Sequence, residues 1–373
     1  MTSLVFDGDA ANFGQAVGLF AQKVHDQDSP PDRAAWGQAG ALGLTALEVP
    51  AEFGGQPGSN YRMTAAAVNA LATCSHGLSS SFTISFDIAT PYLAGFGTDE
   101  VRQRWLPELA AGRAIAALAL TEPGAGSDLA ALTTRADAVE GGWSITGSKT
   151  FITNGSIADV IVVAARTSPQ DRARGISLFA IEGSAPGLHR HRLSTIGQPD
   201  CDTGELFFDG VVVPDSSLLG TLDEGFALLM RRLPQERLTS SIANLAQTDV
   251  AFDLTLDHVQ ERHAFGRPIG SLQHNAFRLA ELEAQRSAVA AFVTHCIDQA
   301  AAGTLTTATA ARAKLLSARL ENDVLDLAMQ LHGGSAFLEG TPINRRWIDG
   351  RVTRVWAGAD EVMLHLISKD LGL

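Results

Sequence analysis

The hydrophobic pattern of this chain changes its period twice, and this double change limits the possible folds more than any other feature. Up to about residue 115 the apolar residues recur at helical spacing, as in TAAAVNALATC (64–74). From 116 to about 220 the pattern consists of short runs rich in β-branched and aromatic residues, such as VIVVAAR (160–166). From 221 onward long helical patterns return, as in TTATAARAKLLSARLENDVLDLAMQLHGG (306–334). A uniform helical or uniform β fold is therefore excluded.

The three zones predict an α+β protein. Residues 1–115 form a helical domain in this prediction, although Pro107 is expected to split the helix in DEVRQRWLPELAAG (99–112). In residues 116–220, Gly and Pro separate the strand-like runs and no long helical insert follows them, which predicts an antiparallel β domain. The apolar stripes of residues 221–373 fit helices that bury them against one another, which predicts a four-helix bundle.

Composition narrows the class of protein. The 373 residues carry a formal net charge of −13, which argues against a general nucleic-acid or anionic-membrane binder but leaves room for a small anionic ligand. Cys74, Cys201 and Cys296 lie far apart without a Cys-x-x-Cys pair, so we expect free thiols in a reducing compartment. The first residues do not resemble a signal peptide, and no apolar stretch has the roughly 18 residues of a membrane span. We expect a cytoplasmic protein.

A glycine loop follows an apolar strand in LALTEPGAGSDLA (118–130). A dinucleotide-binding Rossmann loop needs a third small residue and a following helix, and this segment has neither. The loop is either an ordinary turn or a nest of backbone N–H groups that can hold a phosphate or a flavin edge. His189 and His191 would share one face of a strand, but two histidines alone do not make a metal site, and no metal is predicted.

A second segment, LPQERL (233–238), places Glu236 and Arg237 directly before a run without charge that extends to Thr248. The pattern resembles the start of a largely buried helix. In that interpretation Glu236 is a first-turn carboxylate, which stabilises a helix by about 0.3–1 kcal/mol. The alternative is that Glu236 carries chemistry.

Seven segments occur in the order in which the acyl-CoA dehydrogenase family carries its motifs, and together they resemble that family over nearly the whole chain. The resemblance implies three domains, with FAD held between the middle and last domains at a subunit interface. The segments are PAEFGG (50–55), GTDEVRQRWLPELAAG (97–112), TEPGAGSD (121–128), SKTFITNG (148–155), ERHAFGRPI (261–269), QLHGGSAF (330–337) and WAGADEVM (356–363).

The resemblance also implies which residues would contact FAD. Leu120 and Thr121 would contact the isoalloxazine, with Phe151 and Thr153 beside the ring, and Gly126 and Ser127 would lie near the pyrophosphate. A neighbouring subunit would reach the diphosphate and adenine end, which implies at least a homodimer and favours a homotetramer. The residues expected to do so are Arg262, Phe265, Gln273, Gln330 and Gly334, while Glu361 would lie near the adenosine.

The catalytic base departs from the common family pattern. Most members have a glutamate at the position that Ala357 occupies here, and alanine cannot accept a proton. Either the chain is a degenerate FAD-binding scaffold, or the base lies elsewhere. The long-chain and isovaleryl-CoA dehydrogenases resemble this sequence at Glu236-Arg237-Leu238 and use the glutamate of that motif. We therefore predict that Glu236 is the base and that the backbone N–H of Ala357 helps to polarise the thioester oxygen.

The predicted reaction is the FAD-dependent α,β-dehydrogenation of an acyl thioester, from acyl-CoA to trans-2-enoyl-CoA. Acyl carrier protein is an alternative carrier, and an oxygen-using oxidase is an alternative to a dehydrogenase that reduces electron-transfer flavoprotein. Acyl chain length cannot be read from the expected tail-lining stretch SSSFTISFDIATPYL (79–93). Arg237 either steadies the substrate or forms a structural salt bridge. The expected substrate contacts are Ser127, Pro234, Gln235, Arg237 and Gly358.

Overall fold

The computed structural model describes residues 3–26, 28–168 and 173–373. Its first part is helical, and four of the helices have Asp32, Asn60, Ser75 and Thr98 as side-chain N-caps. The helices are α1 (Gly8–Val24), α2 (Arg33–Ala41), α3 (Tyr61–Cys74), α4 (His76–Thr83), a π-helical segment (Ile84–Ala89), α5 (Thr90–Phe96) and α6 (Asp99–Ala110).

The prediction that Pro107 splits its helix was wrong, because Pro107 lies inside α6. Proline removes one backbone hydrogen bond, but α6 ends only three residues later, at Ala110. Leu106 and Leu109 on either side of it are buried at 0% and 2% exposure. Tertiary packing of these leucines therefore outweighs the local preference of the proline.

The middle part is one sheet of eight strands. The pairing is mainly antiparallel, but β4 runs parallel to β1 and, at Arg135 and Arg166, to β2, so the prediction of an antiparallel domain needs this correction. Parallel strands need a connection that returns the chain, and β2 and β3 lie between β1 and β4, as β3 lies between β2 and β4. The strands are β1 (Ala116–Ala119), β2 (Arg135–Val139), β3 (Gly142–Thr153), β4 (Val160–Arg166), β5 (Ile176–Glu182), β6 (Leu188–Arg192), β7 (Thr203–Pro214) and β8 (Leu218–Leu219).

Strand β4 shows how the sheet is sandwiched. Val160 and Val162 pack into an apolar cluster with Leu106 of α6, whereas Ile161 and Val163 pack into the cluster between the sheet's own strands. Successive side chains of a strand point to opposite faces, so both faces of β4 are covered and its sequence is continuously apolar. The sheet thus lies against the N-terminal helices on one side and folds over its own core on the other.

The last part is helical again and is built around one very long helix, α7. The predicted helix start at LPQERL was wrong, since α7 begins at Gly225, about three turns before Glu236, and contains Pro234 in its interior. The elements are α7 (Gly225–Glu261), the hairpin β9 (His263–Ala264) and β10 (Arg267–Pro268), α8 (Gln273–Ala301), α9 (Thr307–His332), α10 (Pro342–Gly350) and α11 (Asp360–Asp370).

One apolar core joins the two helical regions. Val17 of α1 and Leu71 of α3 share a buried cluster with Leu245 of α7 and Val324 of α9, each exposed by at most 2%. Complete burial of such a side chain contributes about 1.5–3 kcal/mol, so the cluster holds the first and last thirds of the chain together. Domain boundaries after residues 115 and 220 stay a prediction. None of the described helices has the length and apolar character needed to cross a membrane.

Candidate active site

A small pocket lies between the π-helical segment, α5 and α7. Glu236 projects into it from α7 and faces residues that are about 150 positions earlier in the chain. The lining residues are Asp87, Ile88, Tyr92, Arg232, Gln235 and Glu236. The first three belong to the stretch 79–93 that the sequence analysis singled out as lining an acyl tail.

Glu236 is a carboxylate without a hydrogen-bond partner. Its side chain is half-buried, yet Oε2 is enclosed and accepts no hydrogen bond from any described residue. Burial raises the pKa of Glu236, and the neighbouring charge of Arg237 only partly opposes this. A carboxyl group of this kind is a stronger proton acceptor than an exposed one. Because Glu236 lies about three turns into α7, its interpretation as a first-turn carboxylate is excluded.

The loop with Ala357 lies beside the residue that follows Glu236. Ala357 and Gly358 both have left-handed backbone conformations, with φ of 49° and 94°. The loop is held by Lys314, whose Nζ donates to the Gly358 carbonyl over 2.6 Å. A Cβ at Gly358 would lie 2.5 Å from Met363 Cε and 3.9 Å from Arg237 Nε. The fold therefore brings the two alternative base positions, 236 and 357, to one region.

Arg237 is 5% exposed. It forms no ion pair with any carboxylate among the described residues, so none of them makes the structural salt bridge that was its alternative role. Burial lowers the pKa of Arg237, and Glu236 is the first charge that opposes the shift. Gln235 lines the pocket, and its Nε2 donates to Asp87 Oδ1 over 2.6 Å, so its substrate contact stays a prediction. Pro234 is buried within α7.

A buried ion pair supports the glycine loop on its inner side. Lys149 on β3 donates to Glu122 Oε1 over 2.8 Å and to the Leu120 carbonyl over 3.0 Å. Glu122 also accepts from Thr133 and Thr134, and its pKa is held at about 2. Burial by itself would raise this pKa, but the charge of Lys149 and the hydrogen bonds outweigh it.

The outer side of the same loop is accessible to a ligand. A Cβ placed on Gly126 would meet no atom within 4 Å, and Ser127 is exposed. Thr121 is tied to β3, since its carbonyl accepts from the Thr150 N–H over 2.9 Å. The loop thus has a rigid base and an accessible backbone.

Next to this loop, β3 has a bulge between Lys149 and Ile152. The bulge puts Phe151 into a left-handed conformation with φ of 57°, and the ring is 68% exposed. A bulky residue with positive φ is strained, and bulges commonly re-aim a side chain next to an active site. Thr153 follows on the same strand and is partly exposed. An aromatic surface is therefore presented beside the glycine loop.

The residues predicted to serve a neighbouring subunit lie at one end of the helical bundle. The ends of α7 and α9 meet there, since His258 and His332 stack with ring centroids 4.0 Å apart. Glu361 lies elsewhere, exposed at the start of α11. Arg262, Phe265, Gln273, Gln330 and Gly334 are all exposed, with Phe265 at 93%.

The sequence analysis missed two groups of residues. Asp87 was not singled out, although it is the only charged residue in the stretch 79–93. The Glu122–Lys149 pair was also missed, because the two residues belong to different motifs, and nothing in either motif predicts a contact between them.

Comparison with known proteins covers the whole chain. The acyl-CoA dehydrogenase N-terminal domain matches residues 10–113, the middle domain residues 117–211 and the C-terminal domain residues 223–372. The mitochondrial long-chain specific acyl-CoA dehydrogenase of Sus scrofa is 37% identical over 91% of this chain and 79% of its own length. The mitochondrial isovaleryl-CoA dehydrogenase of Solanum tuberosum is 30% identical over 99% of this chain and 92% of its own.

Among solved structures, the acyl-CoA dehydrogenase from Geobacillus kaustophilus superposes with a TM-score of 0.94 at 36% identity and covers 99% of both chains. The three domain matches, the sequence relatives and this superposition agree with the order of helices, sheet and helices described above. They confirm the predicted resemblance and the predicted fold, and the chain belongs to the acyl-CoA dehydrogenase family of oxidoreductases.

Proposed function

We propose that this protein is an FAD-dependent acyl-CoA dehydrogenase in which Glu236 removes the α-proton of an acyl thioester. The observation that carries the proposal is the enclosed, unpartnered Glu236 Oε2 in a pocket next to the Ala357 loop. A buried carboxylate without partners is costly unless a ligand uses it. The same observation argues against the degenerate scaffold, which has no need to keep such a group.

The residues of the glycine loop and of β3 fit FAD. The accessible backbone around Gly126 suits a pyrophosphate, and exposed Phe151 suits the edge of a planar ring. Leu120, Thr121 and Thr153 would complete this site. When bound, FAD supplies the hydride acceptor for the β-carbon.

The chain's own residues supply the base and the orientation. Glu236 takes the α-proton, and its raised pKa brings it closer to neutrality, where a general base is most effective. The backbone N–H of Ala357 donates to the thioester oxygen, which the loss of a glutamate side chain at this position does not affect. Arg237 and Gly358 frame the reacting end of the substrate, and Ser127 lies along the arm of the carrier.

We propose that the functional unit is at least a dimer, with two dimers forming the tetramer. Arg262, Phe265, Gln273, Gln330 and Gly334 are exposed together and would reach the diphosphate and adenine end of a neighbour's FAD. Arginine suits this task, since its planar guanidinium binds two phosphate oxygens at once. Glu361 would lie near the adenosine, and electron-transfer flavoprotein is the proposed electron acceptor.

The decisive experiment is anaerobic bleaching of the protein-bound flavin by a panel of acyl-CoAs. Glu236→Gln keeps shape and hydrogen bonding but cannot accept the proton, so the bleaching rate should fall by about 10²–10⁴-fold with unchanged FAD content. Exposed Glu140→Gln is the matched control and should bleach at the wild-type rate. Adding Ala357→Glu to Glu236→Gln should restore part of the rate.

Two results would overturn the proposal. If Glu236→Gln bleaches as fast as wild type, the base lies elsewhere. If wild type binds FAD and acyl-CoA but bleaches only after Ala357→Glu, the chain is a degenerate member.

A second candidate function is supported by a structural likeness. The prolyl acyl carrier protein oxidase AnaB superposes with a TM-score of 0.92 at 26% identity. This favours an oxidase acting on a carrier-protein thioester as the alternative. Reoxidation of the reduced enzyme separates the two functions: a dehydrogenase should react faster with electron-transfer flavoprotein, and an oxidase faster with oxygen.

A further inference from the structure

The pocket of Glu236 contains a second carboxylate, Asp87, which has no role in proton abstraction. Asp87 is 1% exposed and lies in the π-helical segment Ile84–Ala89. Such segments are rare and frequently mark functional sites, because the extra residue in the turn displaces side chains from the regular helical positions. Here the segment directs Asp87 towards the pocket that Glu236 lines from the opposite side.

Asp87 is held firmly but is not neutralised. Gln235 Nε2 donates to Oδ1 over 2.6 Å, and the Thr239 hydroxyl donates to Oδ2. Each carboxylate oxygen can accept a further hydrogen bond. No described cation forms an ion pair with Asp87, and Arg232, which also lines the pocket, donates instead to the Pro91 carbonyl over 3.2 Å.

The charge around Asp87 makes this arrangement costly in the free protein. Burial and the nearby carboxyl of Glu48 raise the pKa of Asp87 to about 7, although the hydrogen bonds from Thr239 and Gln235 and the charge of Arg232 oppose this rise. Glu48 is engaged by the Thr64 hydroxyl over 2.9 Å, and burial raises its pKa as well. A hydrocarbon tail in this pocket would leave the hydrogen bonds from Gln235 and Thr239 in place, but it would add no donor and would keep water away from the carboxylate.

The same pocket contains an unpartnered hydroxyl. Tyr92 is 1% exposed, lines the pocket, and its OH makes no hydrogen bond with any described residue. This hydroxyl lines the same pocket as Asp87 and offers a donor or an acceptor to a ligand bound there. A purely apolar acyl chain would leave the Tyr92 hydroxyl without a partner and would give Asp87 no donor for its remaining acceptor sites, which is unfavourable for buried polar groups.

We propose that Asp87, with Tyr92, binds a hydrogen-bond-donating group, a hydroxyl or an ammonium, at the far end of a short acyl chain. The proposal rests on the proposed function, since it takes the pocket of Glu236 as the acyl pocket. The chain is short because Asp87 and Glu236 line one small pocket, so only a few carbons separate the polar group from the α-carbon.

The test compares acyl-CoAs of equal length with the wild-type enzyme: pentanoyl-CoA, 5-hydroxypentanoyl-CoA and 5-aminopentanoyl-CoA. At least one polar substrate should have a kcat/KM at least about tenfold above that of pentanoyl-CoA, since sites built for a hydrogen bond reject analogues that lack it. Asp87→Leu should reverse the preference, mainly through KM. Asp87→Asn should keep the hydroxyl substrate and lose the amino substrate, which separates the two chemistries.

Exposed Asp209→Asn is the control and should behave as wild type. If Asp87→Leu fails to fold, the wild-type comparison still decides. A wild-type enzyme that prefers pentanoyl-CoA overturns the proposal while leaving the proposed function intact. If no acyl-CoA bleaches the flavin, the proposed function itself fails.

Discussion

Two glutamates in this protein, one buried and one half-buried, have opposite environments. Glu122, at the base of the glycine loop, accepts hydrogen bonds from Thr133, Thr134 and Lys149, and its pKa is held at about 2. Glu236, in the pocket on α7, has an unpartnered Oε2 and a raised pKa. Burial raises the pKa of both, so the partners decide the direction of the net shift.

The difference separates a structural carboxylate from a functional one. A fully satisfied buried carboxylate contributes to the shape of the loop and is a poor base, since its proton affinity is low. A buried carboxylate without hydrogen-bond partners lowers the stability of the fold, but it keeps a high proton affinity and can take a proton from a ligand. The same Glu→Gln substitution therefore tests both sites, with opposite expected signs for stability.

The largest expected effect on stability is at the structural site. Glu122→Gln leaves the buried Lys149 without its counter-charge, and breaking such a pair costs about 3–5 kcal/mol. We expect a clearly lower urea midpoint, while exposed Glu140→Gln in the same domain should unfold like wild type. An unchanged midpoint for Glu122→Gln would contradict the structural role.

At the functional site we expect a smaller effect of opposite sign. Glu236→Gln removes a charge that has no partner among the described residues but leaves a polar amide in its place, so the free energy of unfolding at pH 7 should rise by less than the roughly 1–3 kcal/mol cost of an unsatisfied buried group. The measurement is the same urea titration, on protein with equal FAD content. A loss of stability like that of Glu122→Gln would show that Glu236 has structural partners. The two glutamates would then not differ in role.

The smallest expected effects concern how the stability difference between wild type and each Glu→Gln variant changes with pH. The folded pKa of Glu122 is depressed, so its stabilisation is present above the unfolded value of 4.5 and is lost as pH falls towards about 2. The gap between wild type and Glu122→Gln should therefore narrow in acid. The folded pKa of Glu236 is raised, so its ionised form destabilises the fold, and the advantage of Glu236→Gln should grow as pH rises above 4.5.

The raised pKa of Glu236 also predicts the pH profile of catalysis. Since the base must be deprotonated, the rate of flavin reduction should rise with pH to half its maximum above pH 4.5. Stopped-flow reduction by one acyl-CoA across the pH range measures this. A half-maximal rate at pH 4.5 would mean that Glu236 behaves as an ordinary exposed carboxylate.

Much of the fold was predictable because periodicity is a local property. The apolar run of β4 and the stripes of α8 and α9 predicted their elements directly. Pro107 and Pro234 misled the prediction, because packing of their neighbours overrides the local cost of proline within α6 and α7. Family membership was also predictable, since seven motifs in order leave little room for another family.

The site was only partly predictable. The motif Glu236-Arg237-Leu238 singled out the base, but its position inside a helix and its lack of partners depend on α7 continuing for about three turns before it. Pairs such as Asp87 with Gln235 and Glu122 with Lys149 join residues 148 and 27 positions apart, and no local pattern encodes such contacts.

The sequence by itself determined the order of helices, sheet and helices, the family, and the absence of the common base at Ala357. Each of these depends only on local residue spacing or on residue identity. Only the tertiary structure decided which carboxylate is satisfied and which is left for a ligand. The reason is physical: burial and hydrogen bonding set a pKa, and both depend on residues that meet only after the chain has folded.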